Sequence, residues 1–514
     1  MRALLSATAL LLVAGVLPAC SALGLDNLPQ ADCVRGASDP NDLDAFCASL
    51  APLVPPADTC HTWQCNEQTR HCEILARDDD QDGAPSMMCA AGATPDCDDA
   101  NRANTPGADE VCNLADDDCD GVIDETIIET TIMPSSLATI GTSIRTVFAT
   151  QPDSDDSIVL WRTANNFHRV VAPSGAAADL TFRDAMSMPI VLQDADGAIT
   201  GISAGSYAFA GRRITSGCQQ WSLFSVPSDS GTVTLRTGDA TLYPSCSGPQ
   251  QVSAPSLAAF SNGTVLASWL PVAETERGCG TASAAAVTIT SARLSRTPPN
   301  RLGPDVVTLG ETVDVGPAAM LSLGDAFLVA YPKADGTVDV HLVTLDAATL
   351  AITGHDVVYT EPAGTPGTPR AGVGLALGPT DGTTTTVALS YYDGCSLENP
   401  ITVRMLSRSG STVTASATPT TNLGTGRTRT GVQVVWQPRT EEWLVAWRSG
   451  SAVSVQRLFR EGATAGAPFD LATFTQTDSI TTFGVDALGT GPLYRAITVR
   501  GTAVSLITFG CGGS

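Results

Sequence analysis

Phe327–Asp346 reads FLVAYPKADGTVDVHLVTLD: an apolar run closed by an aromatic, a Pro/Asp/Gly turn, then a second run in which apolar residues alternate. β-branched runs bounded by turn residues are strand signals, and two in succession make a hairpin. The same grammar returns in TVLASWLP (Thr264–Pro271), TVALSYYDGCSLENPITVRMLSRSG (Thr386–Gly410) and EWLVAWRSGSAVSVQRLFREG (Glu442–Gly462). The aromatics Trp269, Tyr331, Tyr391 and Trp447 stand 62, 60 and 56 residues apart. Trp161 in SIVLWR opens a weaker copy, the stretch around Trp221 another, and Pro492–Gly510 the last. Six or seven such units predict a mainly β chain closed as a β-propeller, which removes long sheet edges by radial repetition. Tandem β-sandwiches would use the same strands. Ala334-Asp335-Gly336 and Asp194-Ala195-Asp196-Gly197 read as hairpin turns.

Outward from that body, the charge is uneven. The chain has 514 residues, a net charge of −25 and 15 Cys. So acidic a balance excludes a nucleic-acid binder, because phosphate affinity is built from Lys and Arg. So many cysteines point to oxidising surroundings. Residues 21–130 hold 24 acids against four Arg and nine Cys, whereas the rest is nearly balanced. Five cysteines (Cys218, Cys246, Cys279, Cys395, Cys511) fall in the body, and the odd counts predict one bridge between head and body.

The first residues read as an address. Met1-Arg2 is followed by an apolar run, Ala3–Val16, too short to span a bilayer. Leu17-Pro18-Ala19-Cys20 resembles a bacterial lipobox, which implies a signal peptide over 1–19, acylation of Cys20 and a lipidated linker over 20–32. The expected location is the outer membrane or cell surface of a Gram-negative bacterium, anchored by lipid alone. An ordinary secretory signal with a chance cysteine is the alternative.

A Cys-rich segment, 33–77, precedes an acidic one, 78–125. In the latter, Asp78-Asp80-Asp82-Gly83 and Asp116-Asp118-Asp120-Gly121 place carboxylates at alternate positions ahead of a glycine. That is how a short loop wraps a hard cation: alternate side chains converge, and glycine permits the turn that brings the next carbonyl inward. Asp124 and Glu125 follow where later ligands of such a loop would stand. Between Asp78 and Glu125 there are 15 acids and one Arg. Such a segment cannot offset chain entropy by burial. Divalent cations, with disulfides among Cys89, Cys97, Cys112 and Cys119, would supply the missing folding free energy. All-oxygen ligation favours calcium. A solvated acidic linker is the bland alternative.

The combined run D-x-D-x-D-G, D-C-D-D, P-G-A-x-E-x-C-N and D-D-D-C-D-G-x-x-D-E resembles the MopE-type metal-binding motif of bacterial surface proteins. The preceding Cys60–Cys72 run resembles a short cysteine-rich unit of secreted proteins. The resemblance implies ligands at Asp78, Asp80, Asp82, Asp96, Asp98, Asp99, Asp116, Asp118, Asp120 and Asp124, with Asn101 and Glu110 as further candidates. One copy is present, so no tandem array is expected. Copper, which the family is associated with, would call for softer ligands. His61 and His71, with Trp63 and Met87-Met88, are the available set.

No nucleophile elbow, zinc helix or phosphate loop is expected. Gly201-Ile202-Ser203-Ala204-Gly205 matches G-x-S-x-G, and His341 or His355 could nominally complete a triad, but no helix follows. Gly372-Val373-Gly374 stops short of a phosphate loop. The expectation is therefore a non-enzymatic surface lipoprotein. Its acidic module is cation-stabilised, and a propeller-like body over 135–514 binds an extracellular protein or glycan. The alternatives are copper acquisition or buffering, and a propeller enzyme acting on extracellular saccharide or peptide.

Overall fold

The computed structural model describes residues 60–510, except 67–70, 81–82, 87–88, 90–94, 109–115, 120–129, 132–145, 151–156, 163–166, 173–175, 184–191, 195–197, 204, 216–217, 229–231, 235–252, 254, 272–283, 295–300, 314–317, 365–368, 395–398, 417, 427–431, 450–451, 472–479, 489–492 and 501–502. The leader, Cys20, Cys112, Cys246, Cys279, Cys395 and Cys511 lie outside the described residues. Two compact units divide the chain: Met1–Asp109 with Asp116–Gly121, and Glu110–Ala115 with Val122–Ser514. Among the described residues every regular element is a strand, and no helix is long and apolar enough to cross a membrane.

The second unit is a β-propeller. Among its described residues seven sheets follow one another, here called blades one to seven. Their inner strands are Thr146–Thr150, Ile199–Ser203, Ser256–Ala259, Ala319–Ser322, Ala371–Asp381, Gln433–Gln437 and Ile480–Ala487. Each inner strand lies beside the next, and the seventh returns to the first, so the sheets close a ring. Tandem sandwiches would not close in this way. Blades three, four and six are four-stranded antiparallel meanders.

Burial explains why the sequence repeats. The second strands Thr264–Trp269 and Phe327–Pro332 are buried along their whole length, whereas the outer strand Arg301–Thr312 alternates with solvent. A second strand packs on both faces, which is why it reads as a continuous apolar run. In blade four Phe327, Val329 and Tyr331 pack toward blade three, while Leu328 and Ala330 pack toward blade five. Trp269, Tyr331, Tyr391, Trp447 and Tyr494 each sit in a second strand and seal the junction with the preceding blade. Glycines on the outer strand of that preceding blade make room: a Cβ on Gly310 would lie 2.3 Å from the Tyr331 hydroxyl, and one on Gly424 2.4 Å from Trp447 Cζ2.

Three features depart from the expected pattern. Trp221 lies in the third strand of blade two, Cys218–Pro227, not the second. Leu192–Asp194 and Ile199–Ser203 both pair antiparallel with Ser206–Thr215, so they run the same way. Asp194 ends the first of these two strands, and the rest of the expected turn, 195–197, lies outside the described residues. Finally, Thr130–Thr131 pairs with Ala503–Gly510 as the outermost strand of blade seven, five residues ahead of the expected start at 135. The Ala334–Gly336 turn is a hairpin turn: Lys333 and Thr337 pair across it, and Gly336 has φ +84°.

Candidate metal centre

In the first unit, His61–Asn66 and His71–Ala76 form an antiparallel hairpin. Its far end returns to its start, because Arg77 N–H donates to the Cys60 carbonyl at 2.8 Å. Ser86 N–H then donates to the Arg77 carbonyl and Cys89 N–H to the Ser86 carbonyl. This path brings Cys89 beside Cys60, and the two form a disulfide. Cys89 was expected to pair within the acidic segment. The turn at Arg77 instead ties that segment to the Cys-rich one. Cys97–Cys119 is the bridge inside the acidic segment, as expected.

Each acidic loop is held by a specific contact. Gly83 N–H donates to Asp78 Oδ2 at 3.0 Å, with Gly83 at φ +100°. The first carboxylate of the D-x-D-x-D-G run thus closes its own loop across the glycine, the turn that cation-wrapping loops need. Asp79 N–H donates to Asp99 Oδ1 at 2.8 Å, joining the first loop to the second. Asp96 bridges Ser86, and its Oδ1 accepts Asp98 N–H at 2.8 Å. Gly107 N–H donates to the Asp118 carbonyl at 3.0 Å, which docks the Pro-Gly turn on the third loop. Two covalent links and these backbone contacts therefore stitch the three Asp-rich segments together.

The side chains do not all have the same task. Asp96 is buried at 1% exposure, and Asp80 Oδ2, Asp96 Oδ2 and Asp116 Oδ1 are withdrawn from water. Asp78, Asp98, Asp99 and Asp118 remain at least partly accessible. Asn101 turns inward on its own loop: its Oδ1 accepts Ala103 N–H at 3.3 Å and its Nδ2 donates to Asn104 Oδ1 at 2.8 Å. Arg77 grips Asp79, and that hydrogen bond holds the Asp79 carboxyl below its ordinary range. Asp117, 1% exposed, was not among the sequence candidates because it falls between the alternating carboxylates. Its only sequence signal was its place in an unbroken Asp run. Asp82, Glu110, Asp120, Asp124 and Glu125 lie outside the described residues.

The donor chemistry discriminates between metals. An Asp96 carboxylate oxygen and the sulfurs of Cys97 and Cys119 lie within 4.8 Å of one another. The two sulfurs are bonded to each other, so neither is a thiolate ligand in this state. Of that group the donor left among the described residues is the Asp96 carboxylate oxygen, the kind of donor that hard cations take. The histidine pair does not assemble. His61 pairs with Ala76 and His71 with Asn66, at opposite ends of the hairpin. Five register positions at about 3.3 Å each separate them by about 16 Å.

The nominal catalytic groups are also apart. Ile199–Ser203 is a propeller strand, and Gly205 turns directly into the next strand, so no strand–turn–helix elbow exists there. His341 is buried with both ring nitrogens engaged: Nδ1 lies 2.8 Å from the His355 carbonyl and Nε2 3.0 Å from the Tyr331 hydroxyl. A carbonyl can only accept, so Nδ1 carries the proton and Nε2 accepts from Tyr331. Burial lowers the pKa of this imidazole, which keeps it neutral.

Three comparisons bear on these observations. Residues 96–125 match the Cu-binding_MopE family, described as "Putative metal-binding motif". No curated protein matches the chain. Solved structures do, at low identity. The WD40 domain of Toxoplasma gondii coronin is 10% identical with a TM-score of 0.42, covering 76% of this chain and 88% of that one. The polysaccharide lyase Uly1 is 8% identical at 0.37, covering 74% and 91%. The GH74 xyloglucanase from Xanthomonas campestris is 13% identical at 0.38, covering 74% and 53%. Segment 96–125, which holds the Cys97–Cys119 bridge, thus matches the MopE-type putative metal-binding motif, in a chain whose second unit is a β-propeller.

Proposed function

We propose that this chain is an extracellular surface protein in which calcium orders the acidic module and the propeller binds a protein or glycan partner. Cys20 would carry the lipid anchor to the outer membrane. The observation that carries the metal reading is the closure of the Asp78–Gly83 loop by Gly83 N–H on Asp78 Oδ2, in a module whose nearby sulfurs are tied up as disulfides. Bound calcium would neutralise the Asp-rich loops, through Asp78, Asp80, Asp96, Asp98, Asp99, Asp116 and Asp118 among the described residues. Among the described residues, the chain's own contribution is to hold those loops with the Cys60–Cys89 and Cys97–Cys119 bridges, whose sulfurs are then not thiolates. The partner-binding role rests on the fold, since radially arranged sheets present loops around one axis. Enzymatic action on saccharide and metal acquisition are the competing readings.

Calorimetric titration of the oxidised full-length protein with calcium, copper being run in parallel, tests this. Saturable calcium binding with a dissociation constant on the order of 10⁻⁴–10⁻³ M is expected, the range of extracellular modules. Tight copper binding with none for calcium would overturn it. Gly83→Ala provides the local control. Its φ of +100° costs an L-residue about 1–2 kcal/mol, so calcium affinity is expected to fall about five- to thirtyfold. Unchanged affinity would show that the first loop holds no ion.

A further inference from the structure

One corner of the acidic module holds more than oxygen. An Asp96 carboxylate oxygen, Cys97 Sγ and Cys119 Sγ lie within 4.8 Å of one another, with Asp96 buried and both cysteines partly so. The Cys97 amide nitrogen is 3.0 Å from Cys119 Sγ, aimed to donate to it. The Asp116 carbonyl oxygen is 3.0 Å from Cys97 Sγ. While the sulfurs share a bond, neither carries the charge that a metal needs. A dithiol reductant changes that: it gives two electrons and two protons to the Cys97–Cys119 bond, leaves two thiols, and becomes a cyclic disulfide. A soft divalent ion then displaces the two thiol protons to solvent and takes both sulfurs as thiolates.

We infer that reduced Cys97 and Cys119, with Asp96, form a second metal site of the zinc class, and that the disulfide decides whether this corner takes a hard or a soft ion. Two thiolates and one carboxylate are three ligands of a tetrahedral ion, with a fourth position left for water or the Asp116 carbonyl. The Cys97 amide supplies the outer hydrogen bond that steadies a thiolate ligand. Asp96 would serve both ions, so soft-metal and calcium occupancy of this corner exclude one another. That exclusion rests on the calcium reading, whereas the thiolate site does not.

The test uses full-length protein reduced with dithiothreitol, freed of reductant under anaerobic conditions and titrated with cobalt(II), the spectroscopic stand-in for zinc. A thiolate-to-cobalt charge-transfer band that saturates is expected, and zinc should abolish it by displacement. The oxidised protein should show none. Cys97→Ser/Cys119→Ser should lose the band, while Cys60→Ser/Cys89→Ser should keep it, which guards against a variant that merely misfolds. Asp96→Asn should weaken cobalt binding at least tenfold while preserving the band. No band in reduced wild type, or a band that survives in Cys97→Ser/Cys119→Ser, overturns the inference. Calcium titration of the oxidised protein is read separately: its failure removes the calcium reading and leaves the thiolate site to stand on the cobalt band.

Discussion

Arg404→Ala is expected to destabilise the propeller by about 3–5 kcal/mol, the cost of leaving a buried charge uncompensated. Arg404, in blade five, reaches Glu361 at the end of blade four with both prongs: Nε lies 2.9 Å from Oε2 and Nη2 2.9 Å from Oε1. The Glu361 side chain is 2% exposed and that of Arg404 11%. Tyr391 donates to Oε1 at 3.0 Å and Tyr359 to Oε2, so removal of Arg404 leaves a carboxylate sealed under two tyrosines. Burial alone would raise the Glu361 pKa, but the Arg404 and Tyr359 hydrogen bonds and the Arg404 charge outweigh it and hold it below the ordinary value. A carboxyl depressed in the folded state contributes stability that is complete above its unfolded pKa and lost as pH falls through the folded one. Wild-type stability should therefore decline below about pH 4, the unfolded glutamate range. In Arg404→Ala burial wins and the sign reverses, so the gap between the two proteins should narrow on acidification. Urea denaturation at neutral pH and at about pH 4 measures both. A gap that is small at neutral pH, or one that widens in acid, would refute the assignment.

Trp443→Ala is expected to cost about 3–5 kcal/mol, the range for truncating a buried aromatic. Trp443 is fully buried between blades five and six. Its ring centroid is 4.9 Å from that of Trp436, and its Nε1–H donates to the Arg460 carbonyl at 3.1 Å. A Cβ on Gly378 of blade five would stand 2.3 Å from Trp443 Cη2, so that glycine exists to admit the indole. The truncation leaves a void walled by two sheets that are each fixed by their own ladders, so collapse is limited. The urea midpoint should fall with an unchanged slope. A change under about 1 kcal/mol would mean that the junction repacks.

The propeller was legible because its junctions are built alike. Trp269, Tyr331, Tyr391 and Trp447 recur because each packs back on the preceding sheet from a second strand. Blade two resisted the same reading because its inner strand is broken and its Trp221 sits in the third strand. Thr130–Thr131 carries no periodicity, being two residues long, and its partner is at the other end of the chain. In the acidic module Gly83 N–H donates to Asp78 Oδ2, and the alternation of Asp78 and Asp80 ahead of that glycine was visible in the sequence. The Cys60–Cys89 pairing was not, because spacing along a chain does not show which turns return to their start. Nor was the division of labour among neighbours: Asp79 and Asp78 look alike in sequence, yet Arg77 takes one of them.

The pairing of Thr130–Thr131 with the final strand sets an order of events during synthesis. The ribosome delivers Thr130–Thr131 about 370 residues ahead of Ala503, an interval of tens of seconds at about 5–20 residues per second. Until then the ring stands open, and blade seven lacks its last two strands. The Cys-rich and acidic segments are complete long before. A chain released before Ala503 should leave blade seven unfinished and the ring open.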